Sequence, residues 1–485
     1  MLGSVMTVTL SLFIGPMQDP DFWWHLRVGR WMVDNGRLPS QDLFTYTVSN
    51  HAWTDHEYLT EILIWLVYSN FGIATLCILF GLVTWAGFWI LYRQVRKRPF
   101  VIAGLGLTLA AIAGAPIWGP RAQMITFAFT CLELYWLNGY LSGRSRAIYF
   151  FPLLMVLWAN LHGGWVIGFA WLGVALVSEA IGWALNRSDH AKIAHLKKLA
   201  IITIASGVAV LATPHGPGLY LYPFETQGSI AQQKLIIEWF SPDFHQTFLR
   251  PFEAMFFLAI IGFVLHRPRI YDVLLVLTAL GLSLQSVRHI ALFIAAATPV
   301  LIASYSDWWR EFAAARSWKP ALPPRVLFTG ITLFMLVLIA AATLLRISTN
   351  LNKQDSLDRS SYPIAAADWL AAHPEVGTRM YNQYGWGGYL ADRFYPEPNR
   401  RVFIFGEAAL MGDDLLNQYE DVQTLRPDWQ AVLDRNGVDY IVYNRDEALT
   451  DVLATEPQWT CVHEDSVAVI YERSAPGVVN SCGTP

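Results

Sequence analysis

The chain has 485 residues, 54% of them hydrophobic and only 15% charged, with a mean hydropathy of +0.34. Soluble domains carry about a quarter charged residues, so this balance excludes an ordinary soluble enzyme. Apolar runs of membrane length recur as far as Arg346 and predict a polytopic α-helical membrane protein. A formal charge of −4 argues against nucleic acid as a partner.

In chain order, MLGSVMTVTLSLFIGP (1–16) comes first. It has no Lys or Arg ahead of its apolar core and no small-residue cleavage site, so a first membrane helix is the better reading than a secretory signal. Whether the chain starts upstream of Met1 stays open. Further helices are expected at 72–92, 101–117, 122–141, 148–160, 163–185, 198–213, 251–265, 271–286, 289–304 and 326–346, about eleven spans in all. The loops between them alternate in charge. Arg93, Arg96, Lys97 and Arg98 fall in one loop, Arg144 and Arg146 in the next on that side, then Arg187, Lys192, Lys197 and Lys198. Arg267 and Arg269 follow, and Arg310, Arg316, Lys319 and Arg325 close the series. The positive-inside rule makes that side the cytoplasm, in a multi-pass protein of the cell inner or plasma membrane.

The opposite side receives the stretch 17–58, GAPIWGPRAQ (114–123), NLHGG (160–164), the long loop 213–250, SVRH (286–289) and the tail. Acids, histidines and single arginines gather there, and such segregation suits a cavity that does chemistry at the outer face. After 349 the composition turns charged and turn-rich. YPIAAADWLAAHP and DWQAVLDRNG read as helices, the second ending at Gly437. RMYNQ, RRVFIFG, VDYIVYN and SVAVIYER read as strands. Two domains are therefore expected: 1–349 in the membrane with a long first outer loop (17–58), and 350–485 as an extracytoplasmic α/β domain. Cys461 and Cys482 both lie in the latter, and a disulfide between them fits an oxidising compartment.

Asp19-Pro20-Asp21 stands just past the first helix. Two carboxylates so placed suit a general base with a partner that tunes it, or a divalent metal such as Mn or Mg. A solvated acidic loop is the competing reading. Trp23, Trp24, His25 and Arg27 follow at once and offer aromatic faces for a sugar ring and polar groups for an acceptor. Asp55, His56 and Glu57 end the loop, as helix caps or as catalytic groups. Arg121, His162, Arg288 and His289 suggest an anion site for a lipid phosphate, with no acidic cluster near them in sequence. Asn160, His215, Glu238 and Trp239 are further candidates for sugar or acceptor. Glu133 and Glu179 fall inside spans, where a proton-coupled transporter would want acids; the other reading is structural.

The run Asp21-Phe22-Trp23-Trp24-His25-Leu26-Arg27 resembles the D-x-W-Y-H-x-R run of archaeal oligosaccharyltransferases, as does Gly36-x-x-Pro39-x-x-Asp42 downstream. The chain is thereby similar to the GT-C superfamily of integral membrane glycosyltransferases, which includes the protein O-mannosyltransferases. Gln383-Tyr384-Gly385-Trp386-Gly387-Gly388-Tyr389 weakly resembles that family's W-W-D-Y-G acceptor motif, without its aspartate. Arg121-Ala122-Gln123 lacks the acid of the family's second D-x-D. The resemblance implies a GT-C-like fold and transfer of a sugar from a polyprenyl-phosphate donor to an extracytoplasmic protein, glycan or lipid. It implies Asp21 as general base, Asp19 as its partner and inversion at C1. A lipid-linked glycan flippase or transporter is the alternative, with Glu133 and Glu179 essential.

Overall fold

The computed structural model describes residues 2–187, 190–316, 325–475 and Cys482. Packing divides the chain into two compact units. Unit 1 takes Met1–Pro16, Ile73–Leu219 and Glu238–Leu351; unit 2 takes Met17–Gly72, Tyr220–Ile237 and Asn352–Pro485.

In chain order the helices up to the tail are α1 (Leu2–Phe13), α2 (Phe22–Asn35), α3 (Tyr58–Val95), α4 (Phe100–Ala113), α5 (Gln123–Leu141), α6 (Phe151–Leu161) and α7 (Val166–Leu185). Then come α8 (His190–Val210), α9 (Tyr222–Gly228), α10 (Ile230–Leu235), α11 (Arg250–Leu265), α12 (Ile270–Gln285), α13 (Ile290–Ala315) and α14 (Arg325–Leu351). Each expected apolar segment coincides with one of these helices. Among the described residues six stretches are long and apolar enough to cross a membrane: Tyr58–Val95, Gly163–Leu185, Lys192–Val210, Thr247–Leu265, Val287–Ala315 and Phe334–Ser361. Phe100–Ala113, Ala147–Leu161 and Ile270–Gln285 are apolar but shorter.

Two departures from expectation lie near the chain's start. The segment 17–58 is not all loop, because Phe22–Asn35 forms α2, which buries Phe22, Trp24, Leu26, Val28 and Met32 and stops at Gly36 in the left-handed region, φ 65°. The helix expected from residue 72 does start there, but a further helical stretch from Tyr58 leads into it, and the two are separated by a break at Gly72, with φ 77° and ψ 175°. That backbone region belongs almost wholly to glycine, so the kink is written into the residue type.

Within unit 1 the helix ends sort by chemistry. At one end Asn160 Nδ2 donates to Ala212 O (3.0 Å) and Gln123 Nε2 to Arg288 O (2.9 Å), so the loops beside α5, α6, α8 and α13 come together there. The basic loops meet at the other end, where Arg98 pairs with Asp307 and Arg269 donates to Asn138 Oδ1 at 3.0 Å. Glu179 is held there by Lys192 (2.9 Å) and His195 (3.1 Å), a structural engagement.

Unit 2 joins the first loop to the tail. The tail's helices are α15 (Gln354–Ser361), α16 (Ile364–Ala372), α17 (Gly387–Phe394), α18 (Ala408–Gln423), α19 (Trp429–Arg435) and α20 (Ala448–Leu453). Its strands are β1 (Met380–Asn382), β2 (Tyr440–Asn444), β3 (Trp459–Glu464) and β4 (Ala468–Arg473), in one sheet of order β1-β2-β4-β3. β1 runs parallel to β2, and the other pairings are antiparallel. Trp24, Val28, Met32, Phe44 and Trp53 of the first loop share one apolar core with this sheet and its helices. RRVFIFG is no strand. Its residues Val402–Phe405 are fully buried, but their backbone is satisfied elsewhere: Val402 N donates to Phe44 O (3.1 Å), Phe403 N to Asn382 Oδ1 (2.8 Å), and Thr47 Oγ1 to Phe403 O (2.7 Å). The apolar run therefore reads as buried strand from composition and is buried without a ladder. Cys461 and Cys482 are disulfide-bonded, with Cα atoms 5.7 Å apart.

Candidate functional site

Unit 2 assembles the acids and histidines of the first loop into one cluster. Asp21 stands at the N-cap of α2 without capping it; its Oδ1 accepts from Trp24 Nε1 at 3.1 Å. Asp19 Oδ1 accepts from Asp21 N at 3.2 Å, which ties the two acids into one turn. The tail completes the seat. A side chain at Gly406 would collide with Asp21 Oδ1, and one at Gly388 would come to 3.0 Å from Trp24 Cδ1 and 3.1 Å from Pro20 O. Gly388 belongs to the Gln383–Tyr389 run singled out in the sequence, so that run bears on the Asp19–Trp24 turn through bare backbone. One turn further along α2, His25 Nδ1 lies 2.8 Å from Glu61 Oε1 and Nε2 lies 3.8 Å from Glu57 Oε2. His56 Nε2 is 3.1 Å from Glu57 Oε1, and its ring stacks on Tyr222 with centroids 4.0 Å apart. α2 and the start of α3 approach this closely because position 29 is glycine, whose missing side chain would strike the Glu61 carbonyl.

Burial and mutual charge perturb these groups. Burial raises the Asp55 carboxyl, against hydrogen bonds from Glu61 and the Glu57 backbone. Burial lowers His25, outweighing the charges of Glu57, Asp19 and Asp55. Burial works to lower His56 as well, but the hydrogen bond and charge of Glu57, with Glu407 and Asp55, outweigh it and the net shift is upward. Glu407 is pushed up to about 7, first by burial and then by Glu57 and Asp55, with His56 and Tyr222 pulling the other way. Tyr384 is raised well above its ordinary value by burial and by the charges of Asp21 and Glu407. Groups held this far from their solution values concentrate where protons are handled.

Unit 1 gathers a second cluster at its polar end. Arg121, which has no acid near it in sequence, pairs through the fold with the distant Glu238. Ser286 Oγ donates to Glu238 O at 2.7 Å and Val287 N to Phe240 O at 3.0 Å, which fastens the loop 237–240 to the start of α13. The Arg288 guanidinium lies over the Trp239 ring, 4.7 Å from its centroid, and His289 packs edge-on to the same indole at 6.2 Å. His162 is buried on the α6–α7 turn, where its Nδ1 accepts from Gly164 N at 2.9 Å and lies 2.8 Å from Thr126 Oγ1. Asn160 is buried beside it, donating to Val156 O and Ala212 O. His215 lies half-buried in the loop after α8.

Other candidates have structural engagements. Trp24 is 3% exposed and belongs to the core, so its indole positions Asp21. Trp23 packs edge-on to Tyr362 and Tyr389. Arg27 donates to the Asp392 carboxylate (2.8 Å) and to the Asp392 carbonyl (2.6 Å). As for a divalent ion on Asp19 and Asp21, one oxygen of each already accepts a protein hydrogen bond, and no group of three His, Cys, Asp or Glu among the described residues is arranged to hold a metal. Glu407, Tyr222 and Glu61 went unnoticed in the sequence. The only signal for Glu407 was a lone acid set within the apolar stretch 402–411.

No family model matches the chain, and no curated protein does at a significant level. Solved structures do. ArnT from Cupriavidus metallidurans in the apo state aligns with a TM-score of 0.53 at 14% identity, over 97% of this chain and 96% of that one. The same enzyme bound to undecaprenyl phosphate aligns at 0.49, with 14% identity over 98% and 97%. AglB from Archaeoglobus fulgidus, an archaeal oligosaccharyltransferase in complex with an inhibitory peptide and a dolichol-phosphate, aligns at 0.52, with 12% identity over 99% of this chain and 75% of that one. The chain therefore shares its fold, over nearly its whole length, with ArnT and with most of AglB.

Proposed function

We propose that this chain transfers a sugar from a polyprenyl-phosphate carrier to an acceptor hydroxyl at the outer face of the membrane. The observation that carries the reading is a GT-C fold along nearly the whole chain, with Asp21 seated by Trp24 and Gly406 where the sequence resemblance expects the base. The carrier class is supported by the dolichol-phosphate of the AglB complex. The basic loops face the cytoplasm and the polar loops the outside.

Asp21 takes the proton of the acceptor hydroxyl, and the acceptor oxygen attacks C1 of the sugar. The C1–O bond to phosphate breaks, and its electron pair leaves on the carrier phosphate. A single displacement inverts C1. Asp19 orients the Asp21 backbone, and the Trp24 indole keeps one carboxylate oxygen in place. For the carrier phosphate the candidates are those read from the sequence, Arg288 first among them, since its guanidinium lies on the Trp239 face and meets no carboxylate among the described residues. Arg121 acts there only by exchanging Glu238 for the phosphate.

The transporter reading keeps one observation of its own. Glu133 is fully buried in α5, and neither carboxylate oxygen has a hydrogen-bond partner among the described residues. Purified chain carrying Glu133→Gln separates the two readings. The glycosyltransferase keeps its donor turnover in this variant, and loss of glycan movement with donor turnover intact would favour the transporter. Binding of undecaprenyl phosphate, followed by native mass spectrometry, tests the carrier class; no saturable binding by the wild-type chain would contradict it.

A further inference from the structure

The basic end of unit 1 encloses a cavity of about 340 Å³ that the reaction above does not use. Its lining is graded. Leu134 of α5, Leu275 of α12 and Ala295 of α13 are buried and apolar, whereas Arg144, Arg267 and Arg269 are exposed. Two of the four arginines on the cavity are already neutralised. Arg98 pairs with Asp307, and Arg269 forks onto Asp272 at 2.8 and 2.7 Å. Arg144 and Arg267 have no carboxylate partner among the described residues; the Arg144 guanidinium donates to Ser142 Oγ at 3.3 Å. Deeper in the lining, Tyr271 is 4% exposed, and neither its hydroxyl nor Gln94 Nε2 has a hydrogen-bond partner among the described residues. Buried donors are rarely left so in a native protein.

Two uncompensated guanidiniums above two unsatisfied buried donors, with an apolar wall at membrane depth, describe the chemistry of a phosphate headgroup followed by hydrocarbon. We propose that this cavity binds an anionic phospholipid. Arg144 and Arg267 engage its phosphate, Tyr271 and Gln94 donate to headgroup oxygens, and the apolar lining meets the first methylenes. The site is separate from the cluster around Arg288. Asp307, on the cavity, lies about 28 Å from Arg288 along the helical stretch Val287–Ala315, at 1.5 Å per residue. The inference does not rest on the glycosyltransferase reading.

The test is lipid retention by the purified full chain in detergent, measured by native mass spectrometry with phosphatidylglycerol against phosphatidylcholine of the same acyl chains. The wild type retains one phosphatidylglycerol in preference to phosphatidylcholine. The double variant Arg144→Gln/Arg267→Gln loses about thirtyfold in affinity, since each arginine near a charged lipid surface is worth roughly one step of three- to tenfold. Arg144→Lys/Arg267→Lys keeps the charge and restores most of the retention, which distinguishes lost binding from damaged folding. Displacement of the lipid by millimolar inorganic phosphate, with phosphate raising the melting temperature of the wild type and not of the glutamine variant, would identify a soluble phosphate as the occupant of the same site. Equal retention of both lipids, or retention unchanged in the glutamine variant, overturns the proposal.

Discussion

Asp21 and Trp24 are one helical turn apart, and that spacing lets an indole N–H hold the carboxylate of the turn before it. The seat also needs an absence of side chain at Gly406. Gly406→Ala drives a methyl group onto Asp21 Oδ1, so transfer falls by on the order of 10- to 100-fold while the protein still folds; donor turnover beside size-exclusion behaviour checks this. Arg288→Gln removes a charged donor from the proposed phosphate site and weakens carrier binding about tenfold to hundredfold, read as the donor Kd. Asp21 stood out as a candidate because it opens a run of seven residues whose types resemble a known motif. Glu407 was not, because it becomes an acid with a high pKa only through burial against Glu57 and Asp55, which nothing in its own neighbourhood foretells. Arg121 shows the converse: an arginine without an acid nearby in sequence finds Glu238 through the fold.

Elements divide in the same way. The apolar helices were readable because membrane-length hydrophobic runs admit one structure, and their ends sorted by charge as the loops did. α2 was hidden inside a polar loop, since its buried face, Phe22, Trp24, Leu26, Val28 and Met32, is spaced among charged residues. The tail strands β2 and β4 were legible from their aliphatic runs, and β3 was not, for WTCVHE alternates too weakly. α3 carries the sharpest local signal. Gly72 adopts a backbone conformation that a Cβ resists, so Gly72→Ala costs about 1–3 kcal/mol, seen as a lower melting temperature of the tagged protein in detergent.

At the scale of the whole molecule, the first loop and the tail fold as one unit although hundreds of residues separate them, and sequence order conceals that. The acid–histidine cluster is a product of that union, and it makes stability depend on pH. Glu407 holds its proton up to about pH 7 in the folded state, against about 4.5 for an ordinary glutamate. Its contribution is fully present below pH 4.5 and is lost as pH rises through 7. Asp55 and His56, also raised, act in the same direction, and His25, lowered, opposes them. Glu407→Gln should therefore melt relatively higher than the wild type at pH 8 than at pH 5, and a constant difference across that range would contradict the assignment. The most direct test of the account is mass spectrometry of surface glycans and glycoproteins from a deletion strain complemented with the wild-type gene or with Asp21→Asn. Asparagine keeps the Trp24 hydrogen bond and removes the base, so a variant expressed at the wild-type level should leave the deletion phenotype uncorrected, with turnover down by at least about a hundredfold. Full restoration of the glycan by Asp21→Asn would contradict the mechanism.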